Sequence, residues 1–233
     1  MDDSSKRISP SFLIITTLFV TCLLISNIIA GKLASFFGIV VPAAVILFPI
    51  SYILGDVLTE VYGFRRARLA IWLGFTANIL MVLVFAVTLV LPHPDFWNGQ
   101  HAFTVVLGMT PRIVLASMLG YLSGAFCNSI ILSRLKIRCE GRFLWMRTIG
   151  STIVGEAVDT TIFLVVAFWG STPISVLVGM MLAQYLWKVL YEAILTPLTY
   201  LIIKRVKKFE GLDHFDHGVR YIPFSLGVKQ KEP

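Results

Sequence analysis

The 233-residue sequence predicts an all-α integral membrane protein with six transmembrane helices and both termini cytoplasmic. Three observations lead there. Apolar residues make up 57% of the chain and charged residues 14%, against about 45–50% and 25% in soluble domains. Apolar runs follow one another with short connections, and six spans of about 20 residues would use most of the chain. Lys and Arg gather at alternate connections, as the preference of basic residues for the cytoplasmic side requires. One polytopic unit (11–208) is expected between a polar N-terminal tail (1–10) and a polar cytoplasmic C-terminal tail (209–233).

The first span is read at Phe12–Ala30, a run of about 19 residues that suits a crossing and lacks a small-residue cleavage site. The second is read at Ile39–Val61, bent or interrupted by Pro42 and Pro49. It enters from outside and leaves beside the basic cluster Arg65, Arg66 and Arg68. Leu69–Leu91 is the third span, and Pro92–Gln100 an outer loop without Lys or Arg. Thr110, Pro111 and Arg112 interrupt the next region, so Ile113–Leu132 is the fourth span and Ala102–Met109 an outer cap or helical extension. Thr148–Trp169 is the fifth. Ile174–Ile203 is the sixth, long enough to tilt or to extend beyond the bilayer.

Charge placement tests this topology. The inner segments hold two, three, five and seven basic residues, seventeen of the twenty in the chain. Lys32, Arg112 and Lys188 are the exceptions. An odd number of spans would break the alternation. The net charge of +7 is therefore an orienting charge in short loops, and no nucleic-acid partner is implied. Cys22, Cys127 and Cys139 lack disulfide or metal spacing, and His93 and His101 lack ligand spacing, so no metal or cofactor is implied.

The polar residues inside the spans carry the functional signal, because a carboxylate near lipid costs about 2.5–3.5 kcal/mol at a helix centre on insertion scales. In the second span, Asp56 and Glu60 lie one turn apart, close to Arg65, Arg66 and Arg68. They are candidates for a cytoplasmic gate or coupling latch, or else they solvate and orient the helix end. In the fifth span, Ser151, Thr152, Gly155, Glu156, Asp159, Thr160 and Phe163 fall largely on one face. A polar helix contact and a ligand or ion site both fit that face. The sixth span repeats Gln184, Lys188 and Glu192 at every fourth residue, with Trp187 and Tyr191 beside them. Lys188 can pair with Glu192 on the same helix, but one lysine does not neutralise Asp56, Glu60, Glu156, Asp159 and Glu192 together.

Asn27, Asn78 and Asn128 add neutral hydrogen-bonding groups, either between helices or toward a ligand. Trp72 reads as an interfacial anchor. Ser26, Ala30 and Ala34 are small residues at fourfold spacing. No GxSxG, HExxH or Walker sequence occurs. An intramembrane enzyme is the alternative from another class, and ATP-driven transport would need a partner.

The segments FPISYILGDVLTEVYGFRRARLAIWLGFTAN, GEAVDTTIF and LWKVLYEAILTPLTYLIIKRVK resemble the queuosine precursor transporters of the vitamin-uptake transporter group. The likeness spans nearly the whole chain up to Phe209. It implies a multi-pass protein of the bacterial inner membrane, similar in architecture to the substrate-binding subunits of energy-coupling-factor transporters. The implied activity is import of 7-cyano-7-deazaguanine and 7-aminomethyl-7-deazaguanine for queuosine in tRNA. The alternative is a substrate-capture subunit for another vitamin, working with an energising partner subunit. A deazapurine substrate fits the residues: Glu156 or Asp159 suits its donor edge, and Gln184, Lys188 or an asparagine (Asn27, Asn78) its carbonyl. Trp187, Tyr191 or Phe163 suits its flat ring, and Glu192 completes the candidate substrate-binding set.

Overall fold

A computed structural model describes residues 9–29, 32–36, 39–108, 111–171 and 173–224. Helix α1 (Pro10–Ile29) leads into two antiparallel strands, β1 (Leu33–Phe36) and β2 (Ile39–Pro42), paired from Leu33 with Pro42 to Phe36 with Ile39. A 3₁₀ turn, Ala43–Ile46, precedes α2 (Phe48–Tyr62). The remaining helices are α3 (Phe64–Val90), α4 (Gln100–Leu107), α5 (Pro111–Arg138), α6 (Leu144–Phe168) and α7 (Ile174–Glu210). Among the described residues, five regions are long and apolar enough to cross a membrane: α1, α3, the region of α4 and α5, α6 and α7.

The second predicted span is the one that differs. Its first part is not helical: Ile39–Pro42 is a strand, and only the 15 residues of α2 form an α-helix. At 1.5 Å per residue α2 reaches about 22 Å, short of a full crossing. The β-branched run Ile39, Val40, Val41 favours the strand. Pro42 ends it, and Pro49 sits in the first turn of α2, where no helical N–H is lost. Predicted ends shift elsewhere too. Arg147 lies within α6, and Lys204–Lys208 continue α7. The residues before the fourth span fold as the separate helix α4, and Pro111 opens α5.

Short as it is, α2 is the hub of the bundle and touches α1, α3, α5 and α7. Ile53, Val57, Leu58, Val61 and Tyr62 are buried with Phe12, Ile15 and Phe19 of α1, Ala67 and Ala70 of α3, and Ile203 of α7. By contrast Leu80, Leu83, Val84, Val87 and Val90 of α3 are exposed, an apolar surface suited to lipid. The most extensive helix contact joins α5 and α6. It depends on absent side chains, because a Cβ on Gly124 would stand 2.6 Å from Asp159 Cβ, and one on Gly155 2.8 Å from Asn128 Cβ. Close backbone approach through small residues is the usual solution within membranes.

Gly63 turns α2 into α3 at φ +81°, where a side chain would also collide with His214 and Asp216. Those two residues belong to the segment after α7, whose described part, 211–224, folds back onto the helix ends. Asp216 Oδ2 accepts the Phe64 N–H at 2.8 Å, Arg68 donates to the Ile222 carbonyl at 2.8 Å, and Trp72 Nε1 donates to the Pro223 carbonyl at 2.8 Å. Trp72, expected as an interfacial anchor, also holds this segment. Its ring lies beside Phe75, Phe126 and Phe224.

Candidate functional site

Three polar groups occupy the packed face of the bundle. The first joins α6 to α7. Lys188 Nζ lies 2.7 Å from Glu156 Oε2 and 2.5 Å from Asp159 Oδ2. The three side chains are 14%, 10% and 23% exposed, so the cluster is drawn in from solvent yet not sealed. Glu156 and Asp159 are three residues apart on α6 and present both carboxylates to one ammonium. Tyr52 of α2 adds its hydroxyl as a hydrogen bond to Glu156. The same-helix pair of Lys188 with Glu192, open from the sequence, gives way to two acceptors offered across the helix interface.

The second group lies where α2, α5 and α7 meet. Asp56 and Glu192 are each 1% exposed. Asn128 of α5 donates to Asp56 Oδ1 at 3.1 Å. Among the described residues, Asp56 Oδ2, Asn128 Oδ1 and both carboxylate oxygens of Glu192 have no hydrogen-bond partner. Groups of this kind are costly to bury, and they mark places where a proton or a ligand completes the bonding.

The third group closes the C-terminal end of α2 around Glu60, which is fully buried. Arg147 Nη1 donates to Glu60 Oε2 at 2.6 Å, and Lys207 Nζ to Oε1 at 2.7 Å. Lys136 Nζ stands 3.6 Å from Oε1 and donates to the Glu60 carbonyl at 2.6 Å. It also reaches Asp213 and the His214 carbonyl in the folded-back segment. The latch expected between Glu60 and Arg65, Arg66 or Arg68 has these other partners instead. The turn at Gly63 separates Glu60 from the three arginines and carries them onto α3. Arg65 is exposed, Arg66 lies 5.8 Å and 5.9 Å from the Phe12 and Tyr62 ring centroids, and Arg68 holds Ile222.

The remaining expected residues scatter. Asn27 donates to Asn78, whose own amide donates to the Gly74 carbonyl at 2.9 Å, a contact between α1 and α3. Gln184 is half-buried one turn before Lys188. Trp187 is 42% exposed, with its ring 6.3 Å from half-buried Tyr191. Phe163 packs near Gly120 of α5. Tyr52, Arg147, Lys136 and Lys207 were not singled out from the sequence. Tyr52 does precede Asp56 by one turn, and Arg147 does sit just inside an apolar stretch.

The family described as "Putative vitamin uptake transporter" matches residues 42–202. The chain belongs to this family. The matched part of this vitamin uptake transporter runs from Pro42 to Ile202 and so holds Asp56, Glu60, Glu156, Asp159, Lys188 and Glu192. A Bacillus subtilis (strain 168) protein named "Probable queuosine precursor transporter" is 30% identical over 186 residues, 79% of this chain and 81% of the relative. The "Queuosine precursor transporter" of Escherichia coli (strain K12) is 28% identical over 124 residues, 53% of each chain. No solved structure matches. A transporter of this family with this many apolar helices is a multi-pass membrane protein that takes a small-molecule substrate.

Proposed function

We propose that this transporter imports queuosine precursors, 7-cyano-7-deazaguanine and 7-aminomethyl-7-deazaguanine, across the bacterial cytoplasmic membrane. The names of the two relatives support the substrate class. The observation that carries the site is the ammonium of Lys188 shared by the carboxylates of Glu156 and Asp159. A guanine-like edge has adjacent N–H donors for a carboxylate and a ring carbonyl for an ammonium. Substrate would enter by exchanging those ion-pair contacts for its own, with Tyr52 steadying Glu156 and Gln184 and Tyr191 lining the approach.

The topology in this proposal has six crossings and both termini inside. The hairpin, the 3₁₀ turn and α2 together make the second crossing, and the arginines after Gly63 mark its cytoplasmic end. Residues 11–208 form the transport unit, with 1–10 and 209–233 as cytoplasmic extensions. The test is uptake by cells unable to synthesise the precursor, read as queuosine in tRNA. Restoration by this chain at nanomolar supply supports the proposal. No restoration by protein verified in the membrane overturns the substrate. Transport only beside a co-purifying energising partner would make the chain a substrate-capture subunit.

A further inference from the structure

Among the described residues, two buried carboxyls on α2 and α7 have oxygens without a hydrogen-bond partner. Glu192 is sealed from solvent with both oxygens unpartnered, and Asp56 is equally buried with Oδ2 unpartnered. Their helices α2 and α7 pack together, and the two carboxyls act on each other electrostatically. Asp56 faces Glu192 from α7, Asn128 from α5 and Glu60 from its own helix. The helices α1 and α3 meet α2 through apolar residues, Phe12, Ile15, Phe19, Ala67 and Ala70. Glu192 faces Glu156 from α6, and its nearest lysine along α7, Lys188, is engaged by Glu156 and Asp159. Arg147 and Lys207 are engaged by Glu60.

Two carboxyls buried on packed helices, one acting on the other, do not both ionise, since each negative charge opposes the other and neither is solvated. A proton removes one charge and supplies an O–H donor for oxygens that, among the described residues, have no partner. We propose that Asp56 and Glu192 form a proton-carrying carboxyl pair that couples substrate import to inward proton movement. The proton comes from the outer water onto a carboxylate oxygen of the pair and leaves as a proton to the cytoplasm, so the carboxylate is regenerated and no covalent bond to substrate forms. With a neutral substrate, one positive charge enters per cycle. The coupling rests on the importer reading, whereas the bound proton does not.

The first measurement is infrared spectroscopy of the full chain in lipid at neutral pH without substrate. A protonated-carboxyl C=O band that shifts in D₂O and is lost in Glu192→Gln or Asp56→Asn is expected. Its absence from the wild type overturns the proposal. The second uses proteoliposomes and 7-cyano-7-deazaguanine. With one proton per substrate and the membrane potential clamped at zero, an inside-alkaline gradient of about one pH unit supports about tenfold accumulation. Asp56→Asn keeps substrate counterflow and loses this accumulation, and Glu192→Gln loses the accumulation as well. Accumulation driven by a sodium gradient and indifferent to pH, or unchanged in both variants, overturns the coupling. The band without any precursor counterflow supports the proton site and sinks the importer reading instead.

Discussion

Arg147 of α6 donates to Glu60 of α2 at 2.6 Å, and their side chains are 1% and 0% exposed. A pair so completely buried is held by geometry, since each ion has lost its water. Glu60 also receives Lys207 and borders Lys136, so one carboxylate ties together four helices, α2, α5, α6 and α7. Glu60→Ala strands several cations at once, and losing one partner of a buried pair costs about 3–5 kcal/mol. Arg147→Met leaves Glu60 with its lysines and should cost less. Melting curves in detergent should rank wild type, Arg147→Met and Glu60→Ala in falling order. Equal melting of Glu60→Ala and wild type would refute the role of this residue.

Lys188 should be required for transport and not only for folding. Lys188→Met leaves Glu156 and Asp159 without their cation, so uptake should fall to background and the melting temperature should drop. Combining it with Glu156→Gln and Asp159→Asn removes the stranded charges. The triple variant should recover much of the stability and none of the uptake. Normal uptake by the triple variant would place the substrate elsewhere.

The contact of α5 with α6 should tolerate no added side chain at its centre. Gly124→Ala and Gly155→Ala put a Cβ at 2.6 Å and 2.8 Å from neighbouring Cβ atoms. Forcing extra methyl groups into packed interiors costs about 1–3 kcal/mol. A Cβ on Gly179 of α7 meets nothing within 4 Å, so Gly179→Ala serves as the neutral control. Lower melting temperatures for both α5 and α6 variants, with the control unchanged, are the expected result. Wild-type behaviour of Gly155→Ala would show that the helices can separate freely.

The long helices were legible because an apolar run of bilayer length has few other ways to fold. The same measure did not resolve how Ile39–Val61 is interrupted, since a strand, a 3₁₀ turn and a short helix can share one apolar run. Pro42 and Pro49 signalled the interruption, but only the β-branched residues before Pro42 pointed to a strand, and hydropathy does not weigh them. The candidate site was legible by residue type, as Glu156, Asp159 and Lys188 do come together. Their pairing was not, because whether Lys188 turns to Glu192 or to α6 depends on how two helices are set against each other. Likewise Glu60 stands near three arginines in sequence, yet the turn at Gly63 sends them elsewhere. The polar segment after α7 gave no sign of docking, because backbone carbonyls and the buried Asp216 carry much of its hold, and the side chains of Asp213, Tyr221 and Phe224 that join them follow no periodic pattern.

The buried Asp216 makes docking sensitive to acid. Burial alone would raise the Asp216 carboxyl, but hydrogen bonds from His214, Ser133 and the Phe64 N–H outweigh it and hold the group below the usual carboxylate range. Asp213 is lowered likewise, burial being outweighed by Lys136 and Lys207. A carboxyl that is more acidic when folded contributes stability above its unfolded pKa, about 3.9, and loses it as pH falls through the lower folded value. Wild-type melting temperature should therefore fall on the acid side of about pH 4. Asp216→Asn should be less stable at neutral pH and show a shallower acid limb, with the remaining slope including the part due to Asp213. Superimposable acid limbs for the two proteins would show that Asp216 contributes no pH-dependent hold on the start of α3.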